Sequence, residues 1–344
     1  EEIALDLGIP TDENGIYAAP DYKGLAAEIQ VPTHQPYEMD IVERIRESGG
    51  KPFITDTNTL YRGTRHNSVD HIETAIAHGF DYAVVRAPVI IADGLKGRNV
   101  QWVEINAKHF QKVRIASDIY NADQLVVLTH FKGHEMAGFG GAIKNLAMGA
   151  GSAYGKMDQH SVRPKVDPKK CIGCGTCMPI CPVDAHVLEG GKVFIQEDVC
   201  IGCGECITVC PQEAIGLKWD SEIPRFLERM TEYAFGATRN KVGKMGFINF
   251  VTRVSPDCDC FPWSDHPIVP DVGILASKDP VALDRACYDL VNRQRGFNDS
   301  KLKGGWEPGE DKFLGMRPKV DARIQFDYGE ELGLGTQDYE LIEI

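Results

Sequence analysis

The chain has 344 residues, of which 43% are hydrophobic and 25% charged, a composition typical of a globular protein with a substantial core. No stretch approaches the roughly 18 to 20 uncharged apolar residues that cross a bilayer, so no membrane span is expected. The formal net charge of −13 argues against a nucleic-acid or anionic-membrane partner, because binding phosphate requires an excess of Lys and Arg. We expect a cytoplasmic protein, since the first residues lack the basic start and apolar run of a secretory signal.

The first half of the chain alternates predicted helices with predicted strands. Helices are predicted over 37–50 and 68–79, where apolar residues recur at helical spacing and glycines follow; Ser68 is the predicted N-cap of the second. His71 and His78 are predicted to lie on the exposed face of that helix. The predicted strands are 51–55, 82–86, 89–93, 100–105 and 124–129.

Basic and polar residues follow two of these strands, where ligands gather in an open α/β sheet. The stretch after the last strand reads HFKGHEMAGFGGAIKN. Its predicted catalytic residues are His130, Lys132, His134 and Lys144. The predicted cofactor-binding residues are Arg65, Gly140, Gly141 and Asn145. Together they favour an anionic or carbonyl-bearing small molecule as the ligand.

The glycine run within this stretch fits no nucleotide-binding signature. Its order is G-x-G-G-x-x-K, and Lys144 is not followed by Ser or Thr. The run could form an anion-binding nest or simply a tight turn. His130 and His134 would share a face only in a helix, which the preceding strand and Gly133 disfavour, so metal ligation by this pair alone is not favoured.

Eight of the 11 cysteines lie in two copies of the pattern C-x2-C-x2-C-x3-C-P. This is the pattern of bacterial two-cluster ferredoxins, in which the fourth cysteine of each copy binds the other cluster. We therefore predict two [4Fe–4S] clusters. The ligands of the first are Cys171, Cys174, Cys177 and Cys210, and those of the second are Cys200, Cys203, Cys206 and Cys181. Zinc is disfavoured because a zinc site has no use for the third cysteine and the proline, and disulfides are disfavoured by the clustering.

Alternation of helices and strands resumes after the cysteines. Helices are predicted over 223–236 and 279–292, the second capped by Asp279, and strands over 244–254 and 271–277. The sequence thus predicts one α/β domain with a mixed or parallel sheet, interrupted by a small α+β ferredoxin-like insert, although two domains flanking the insert would also fit. The predicted boundaries are 1–165 and 219–344 for the α/β domain and 166–218 for the insert.

A second cysteine pair, Cys258 and Cys260, lies in a proline-rich loop with Asp259 between its members and His266 nearby. The pair could hold a further metal or an unidentified small cofactor, but two cysteines are an incomplete ligand set. Two reduced thiols explain the pair equally well. Cys287 is predicted to be a buried apolar residue, and His160 either a linker residue or a member of the site.

Most of the chain resembles the family described as domain of unknown function 362, the uncharacterised Fe–S centre proteins. The matching segments lie between about 49 and 291 and include GGKPFITDTNTLYRGTRHN, THFKGHEMAGFGGAIKNLAMGAGS, the doubled cysteine motif and SPDCDCFPWSDHPIVPDVGILASKDPVALDRA. The resemblance implies an α/β domain with an inserted two-cluster ferredoxin domain, and it implies no established reaction. The family is also distantly similar to the nickel-dependent lactate racemases, which would fit a pocket lined by His and Lys, but no catalytic role is carried over.

Two functions follow as predictions. In the first, an oxidoreductase passes low-potential electrons through the clusters to a site in the α/β domain. His130 or His134 would donate a proton there, and Lys132, Lys144 and Arg65 would bind an anionic group. In the second, a ferredoxin-like carrier or accessory subunit docks a redox partner protein through its acidic surface and has no active site of its own. A non-redox enzyme with structural clusters is a third, weaker alternative, and oxygen-labile clusters favour an anaerobic setting.

Overall fold

The computed structural model describes residues 35–59, 63–160, 164–181, 183–200, 206, 209–212, 214–217, 223–259 and 265–344. We refer to residues 164–217 as the cysteine-rich segment and to the described residues on either side of it as the body. Within these ranges, no helix is long and apolar enough to cross a membrane.

The elements of the body and of the cysteine-rich segment are numbered in chain order. The first part of the body contains α1 (Gln35–Glu47), β1 (Ile54–Asp56), α2 (Ser68–Ala77), α3 (Tyr82–Val85), β2 (Val89–Ile91), β3 (Val100–Glu104), β4 (Lys112–Ala116), α4 (Ser117–Asn121), β5 (Leu125–His130), β6 (Lys132–His134), β7 (Gly138–Gly140), α5 (Ala142–Ala150) and α6 (Ala153–His160). The cysteine-rich segment contains β8 (Pro164–Val166), β9 (His186–Glu189), β10 (Lys192–Ile195) and β11 (Ile215–Leu217). The second part of the body contains α7 (Ile223–Thr238), β12 (Met245–Val251), β13 (Gly273–Ser277), α8 (Pro280–Arg293), α9 (Lys312–Met316) and α10 (Ile324–Glu331).

Both parts of the body contribute to one mixed sheet, with the strand order β13–β12–β5. β12 runs parallel to β5, with Ile248 opposite Leu128, and antiparallel to β13. A second, parallel pair joins β1 to β2, and β3 and β4 form an antiparallel hairpin. The prediction of an α/β fold with a mixed or parallel sheet is confirmed.

Helices cover the sheet on both faces. Ile41 of α1 packs with Ile248 and Phe250 of β12 on one face. The larger core includes α5, α7 and the C-terminal helices, and the rings of Phe131 and Phe139 stack within it with their centroids 5.1 Å apart. Burying each such ring stabilises the fold by about 1.5–3 kcal/mol, so these two residues fix the position of the segment that lies between them.

Helix α2 differs from its prediction in both its cap and its buried face. Asn67, and not Ser68, is the N-cap, since its side chain accepts hydrogen bonds from the N–H groups of Val69 and Asp70 at 3.0 and 3.2 Å. The apolar residues at helical spacing do not mark the buried face of this helix, because one of them, Val69, is 55% exposed while His71 is buried. The prediction that His71 is a surface residue is therefore also wrong.

Residues 82–86, predicted to be a strand, form the short helix α3. Asp81 caps this helix by accepting a hydrogen bond from the N–H of Ala83, and Arg86 ends it in the left-handed conformation with a φ of 56°. The β-branched residues of this segment favour a strand, but the local capping interaction and the left-handed residue select a single helical turn.

Candidate functional site

The cysteine-rich segment is built from two strand pairs that repeat one another. Val166 of β8 lies opposite Ile215 of β11, and Ile195 of β10 lies opposite His186 of β9. The repeat that aligns the two cysteine motifs also aligns Val166 with Ile195, and Ile215 with His186. The two pairs therefore have the same register, so equivalent residues of the repeat occupy equivalent places.

Cysteines from both motifs line one cavity. Three of them come from the first motif, and the fourth, Cys210, comes from the second. The lining cysteines are Cys171, Cys174, Cys177 and Cys210, with apolar side chains that include Val166, Val193 and Ile215. This is the group of four that the spacing predicts for the first cluster.

Backbone N–H groups are directed at two of these sulfurs. The N–H groups of Gly173 and Val193 each lie 3.4 Å from the Sγ of Cys171. The N–H of Ala214 lies 3.2 Å from the Sγ of Cys210. Such donors stabilise the negative charge that thiolate ligands and inorganic sulfide carry, so the surroundings of the cavity fit an iron–sulfur cluster.

The remaining two thiols of the cavity have different environments. Cys174 is exposed, and a hydrogen bond from the hydroxyl of Thr176, at 3.3 Å, lowers the pKa of its thiol. Cys177 is buried, and this burial raises the pKa of its thiol. Bound iron would hold both as thiolates, because the thiolate is the metal ligand.

The second predicted ligand set is described only in part. Cys181, Cys200 and Cys206 lie within the described residues, and Cys203 lies outside them. The N–H of Ala185 donates to the Sγ of Cys181 at 3.3 Å. By the repeat, this bond is the equivalent of the one that Ala214 donates to Cys210.

Among the described residues, no group of three or more His, Cys, Asp or Glu side chains is arranged to hold a single metal ion. A four-iron cluster binds its cysteines through separate irons, so its ligands surround a cavity and do not meet at one point. Cys258 lacks a complete ligand set within this part of the chain, and Cys260 lies outside it. Whether these two cysteines bind metal stays a prediction.

The stretch from His130 to Lys144 is a hairpin and a helix, not a loop. β6 pairs with β7, which places Lys132 opposite Gly140, and α5 begins directly after Gly141. All four predicted catalytic side chains are buried in it: His130, Lys132, His134 and Lys144 are each 4–5% exposed.

Asp259 joins two of these side chains. Its Oδ2 lies 2.9 Å from the Nδ1 of His130 and 3.0 Å from the Nζ of Lys132. Burial favours the neutral acid, but the charges of Lys132 and His130 outweigh it and lower the pKa of Asp259. The Nε2 of His130 lies 2.9 Å from the carbonyl oxygen of Thr252. Both ring nitrogens of His130 thus face oxygen acceptors.

Lys144 of α5 contacts the loop that contains Cys258, which we call the Cys258 loop. Its Nζ lies 3.4 Å from the Sγ of Cys258, and an ammonium group beside a thiol favours the thiolate. Gly140 lies beside both lysines: a Cβ there would be 3.3 Å from the Cδ of Lys144 and 3.9 Å from the Nζ of Lys132. The structure therefore brings two separated sequence motifs into one buried group, which we call the body site: His130, Lys132, Lys144, Cys258 and Asp259.

His134 adjoins the body site and is held in one tautomer. Its Nδ1 accepts hydrogen bonds from the N–H groups of Met136 and Ala137, at 3.1 and 3.0 Å. The proton of the neutral ring is therefore on Nε2, which lies 3.6 Å from a carboxylate oxygen of Glu135.

The anion at the glycine run is the protein's own Asp284. Its two carboxylate oxygens accept hydrogen bonds from the N–H groups of Ala142 and Ile143, at 2.7 and 2.9 Å, at the start of α5. Burial raises the pKa of Asp284 to about 6, against these bonds and one from Asn249. These two N–H groups at the start of α5 are thus already bonded to a carboxylate of the protein itself.

Asn145 also makes internal contacts. Its side-chain amide donates to the carbonyl oxygen of Leu128 at 2.7 Å and to the hydroxyl of Thr129 at 2.9 Å. These bonds tie α5 to the end of β5. The predicted role of Asn145 in binding a cofactor stays a prediction.

A second buried polar group surrounds Lys156. Its Nζ donates to the carbonyl oxygens of Asn58 at 2.8 Å and of Gly151 at 3.3 Å, and burial lowers its pKa. Arg65 is buried in the same region, and its positive charge also acts to lower the pKa of Lys156. His71 lies 3.6 Å from a carboxylate oxygen of Asp56, and burial lowers its pKa to about 4.

The pKa of His160 is affected by basic residues near both buried polar groups. Burial is the main cause that lowers its pKa to about 3, followed by His134, Lys144 and Lys156. The ring is therefore neutral at neutral pH, and it stacks on Phe226 with the centroids 5.1 Å apart. Sequence reasoning left His160 open and did not single out Lys156, because neither stands in a recognisable motif. Asp259 was noted from its place between two cysteines, but its contact with His130 was not predicted.

Two known proteins are similar to parts of this chain. A 27-residue segment is 56% identical to Ferredoxin-2 of Desulfomicrobium norvegicum, covering 8% of this chain and 46% of the ferredoxin. The solved lactate racemase apoprotein of Thermoanaerobacterium thermosaccharolyticum aligns at 13% identity with a TM-score of 0.40, over 74% of this chain and 45% of that one. The chain thus spans less than half the length of either protein.

The family comparison covers far more of the chain. The model of a domain of unknown function, DUF362, matches residues 24–289. With the ferredoxin-like segment, this match indicates an iron–sulfur protein. The chain belongs to the DUF362 family.

Proposed function

We propose that this protein is an oxidoreductase that passes single electrons through two [4Fe–4S] clusters to a small molecule at the body site. The observation that carries the proposal is the cavity lined by three cysteines of one motif and by Cys210 of the other. Only the two-cluster ferredoxin pattern requires this exchange of the fourth ligand. The clusters, when bound, would supply electrons at low potential.

The body site is proposed to hold the anionic group of that molecule. Lys132 and Lys144 would bind the anionic group, since both side chains are buried and both lie within 4 Å of the position that a Cβ at Gly140 would take. His130 would hold a proton at Nδ1, the nitrogen that contacts Asp259. Burial of the whole group would exclude water from the reacting molecule.

We also propose that the insert spans 166–218 and the α/β domain comprises 1–165 and 219–344. The cysteine-rich segment has a hydrophobic cluster of its own, formed by residues that include Val193, Ala214 and Ile215 around the cysteines. The two flanks share the sheet that joins β5 to β12. These two observations support an insertion into one α/β domain over two flanking domains.

A carrier or accessory subunit is the second candidate function. The observation that favours it is the surface next to the first cavity, where Cys174 is exposed and Ile172 is 61% exposed. An exposed apolar side chain beside a cluster ligand suits brief docking of a redox partner, and the acidic surface would steer a basic one. The two functions differ in whether the body site binds a small molecule.

The paired variants Cys171→Ala and Cys210→Ala test the exchanged ligands. We expect both to lose the same cluster, which is about half of the iron, and to leave the same residual EPR spectrum. Cys200→Ala should lose the other cluster. Cys287→Ala, which removes a buried cysteine outside both motifs, is the matched control and should keep full iron. If Cys210→Ala instead resembled Cys200→Ala, the ligand exchange would be excluded.

A further inference from the structure

The two cluster sites differ in one backbone donor. Val193 donates its N–H to the Sγ of Cys171 at 3.4 Å, at the first site. In the repeat, Val193 corresponds to Pro164, and Cys171 corresponds to Cys200. Proline has no N–H, so Pro164 cannot make the equivalent bond at the second site.

The two sites also differ in one side chain of their lining. Ile215 lines the cavity of the first site. Its equivalent at the second site is His186, which has the same strand register: Ile215 lies opposite Val166, and His186 lies opposite Ile195. An imidazole therefore stands where the first site has an apolar side chain.

His186 is a buried polar residue of the cysteine-rich segment. It is 8% exposed, and neither Nδ1 nor Nε2 has a hydrogen-bond partner among the described residues. Burial lowers the pKa of His186, so the ring is neutral and carries one N–H. A buried N–H without an acceptor is costly, and most buried donors in proteins have a hydrogen-bond partner.

We propose that His186 donates its N–H to a sulfur of the second iron–sulfur cluster and so raises the reduction potential of that cluster. This inference rests on the proposed function, since it requires a cluster at the second site. This bond would take the place of the backbone hydrogen bond that Pro164 cannot donate. His186 is thus a positioning residue for electron flow between the clusters.

The direction of the effect follows from charge. A reduced cluster carries one more negative charge than an oxidised one, so a hydrogen-bond donor to its sulfur stabilises the reduced form more strongly. Hydrogen bonds to the sulfurs are one of the known determinants of cluster potential. Removing the donor therefore lowers the potential, and adding one at the equivalent position of the first site raises it.

Reciprocal substitutions test this role in the reconstituted full-length protein. His186→Ile gives the second site the side chain of the first, and Ile215→His does the converse. Potentiometric titration followed by EPR should show that His186→Ile lowers the midpoint potential of the second cluster only. Ile215→His should raise that of the first cluster only. His186→Gln, which keeps an N–H donor, should restore part of the loss.

Pulsed EPR supplies a readout that a merely structural role would not change. In protein labelled with ¹⁵N-histidine, the reduced second cluster should show a weak nitrogen coupling that is lost in His186→Ile. Full iron content with unchanged midpoint potentials in both reciprocal variants would overturn the role of His186. Absence of iron and sulfide from the reconstituted wild type would contradict the proposed function itself, which distinguishes the two failures.

Discussion

At the scale of single residues, the two lysines of the body site have different partners. The Nζ of Lys132 lies 3.0 Å from a carboxylate oxygen of Asp259, and the Nζ of Lys144 lies 3.4 Å from the Sγ of Cys258. Buried charges are costly unless they are paired. The proposed anionic ligand would bind both ammonium groups only in the folded protein, so its binding should stabilise the fold.

Lys132→Met tests whether the body site binds an anion. We expect small carboxylates, or inorganic phosphate, to raise the melting temperature of the wild type, because a ligand at a hundred times its Kd stabilises by about 2.7 kcal/mol. The variant should lose this increase and keep its cluster absorbance. Lys96→Met, which removes an exposed lysine, is the control and should respond as the wild type does. A wild type that no anion stabilises would favour the carrier function.

Whether sequence reasoning singled out a residue of the body site depended on the residues next to it in the chain. His130, Lys132 and Lys144 stand in one basic stretch and follow a predicted strand, so sequence reasoning singled them out as candidates. Asp259 was noted only as a neighbour of cysteines, because its contact with His130 joins segments far apart in the chain. His71 was misplaced because helical spacing alone does not tell which face of a short helix is buried.

At the scale of elements, the hairpin of β6 and β7 explains the dense glycines of its sequence. A Cβ at Gly133 would lie 2.3 Å from the carbonyl oxygen of Pro256, and Gly138 has a φ of +77°. The first glycine permits close approach of the Cys258 loop, and the second permits the turn. Sequence reasoning predicted a turn or a nest but not strands, since three-residue strands carry too little periodicity to be recognised.

Gly141→Ala tests the contact between α5 and Asp284. A Cβ there would lie 2.3 Å from the Oδ1 of Asp284, so the cap of α5 must shift. We expect a loss of about 1–3 kcal/mol in stability, as for other overpacked sites. Hydrogen exchange at the amides of Ala142 and Ile143 should speed up accordingly.

Gly149→Ala in the same helix is the matched control. Its added Cβ would come no closer than 3.4 Å to another atom, at the Oδ1 of Asn145. Alanine in a helix interior is favoured over glycine by about 1 kcal/mol, so this variant should be neutral or more stable. Equal effects of the two substitutions would contradict the role assigned to Asp284.

At the scale of the whole molecule, the fold class was predictable and the strand pairing was not. Hydrophobic periodicity identified the strands that became β5 and β12, and the doubled cysteine motif marked the cysteine-rich segment. Nothing in either segment specifies that β5 pairs with β12 across the cysteine-rich segment, because that pairing depends on contacts between residues distant in sequence. The place of Cys210 beside three cysteines of the first motif was predictable, since the ferredoxin pattern of the repeat implies it.

The proposed function requires two [4Fe–4S] clusters that transfer single electrons. Spin quantitation by EPR of the anaerobically reconstituted protein, after reduction with dithionite, measures this directly. We expect about two unpaired spins per chain, one for each reduced cluster. A protein that gives no spins after reconstitution, and retains zinc in place of iron, would rule out the clusters.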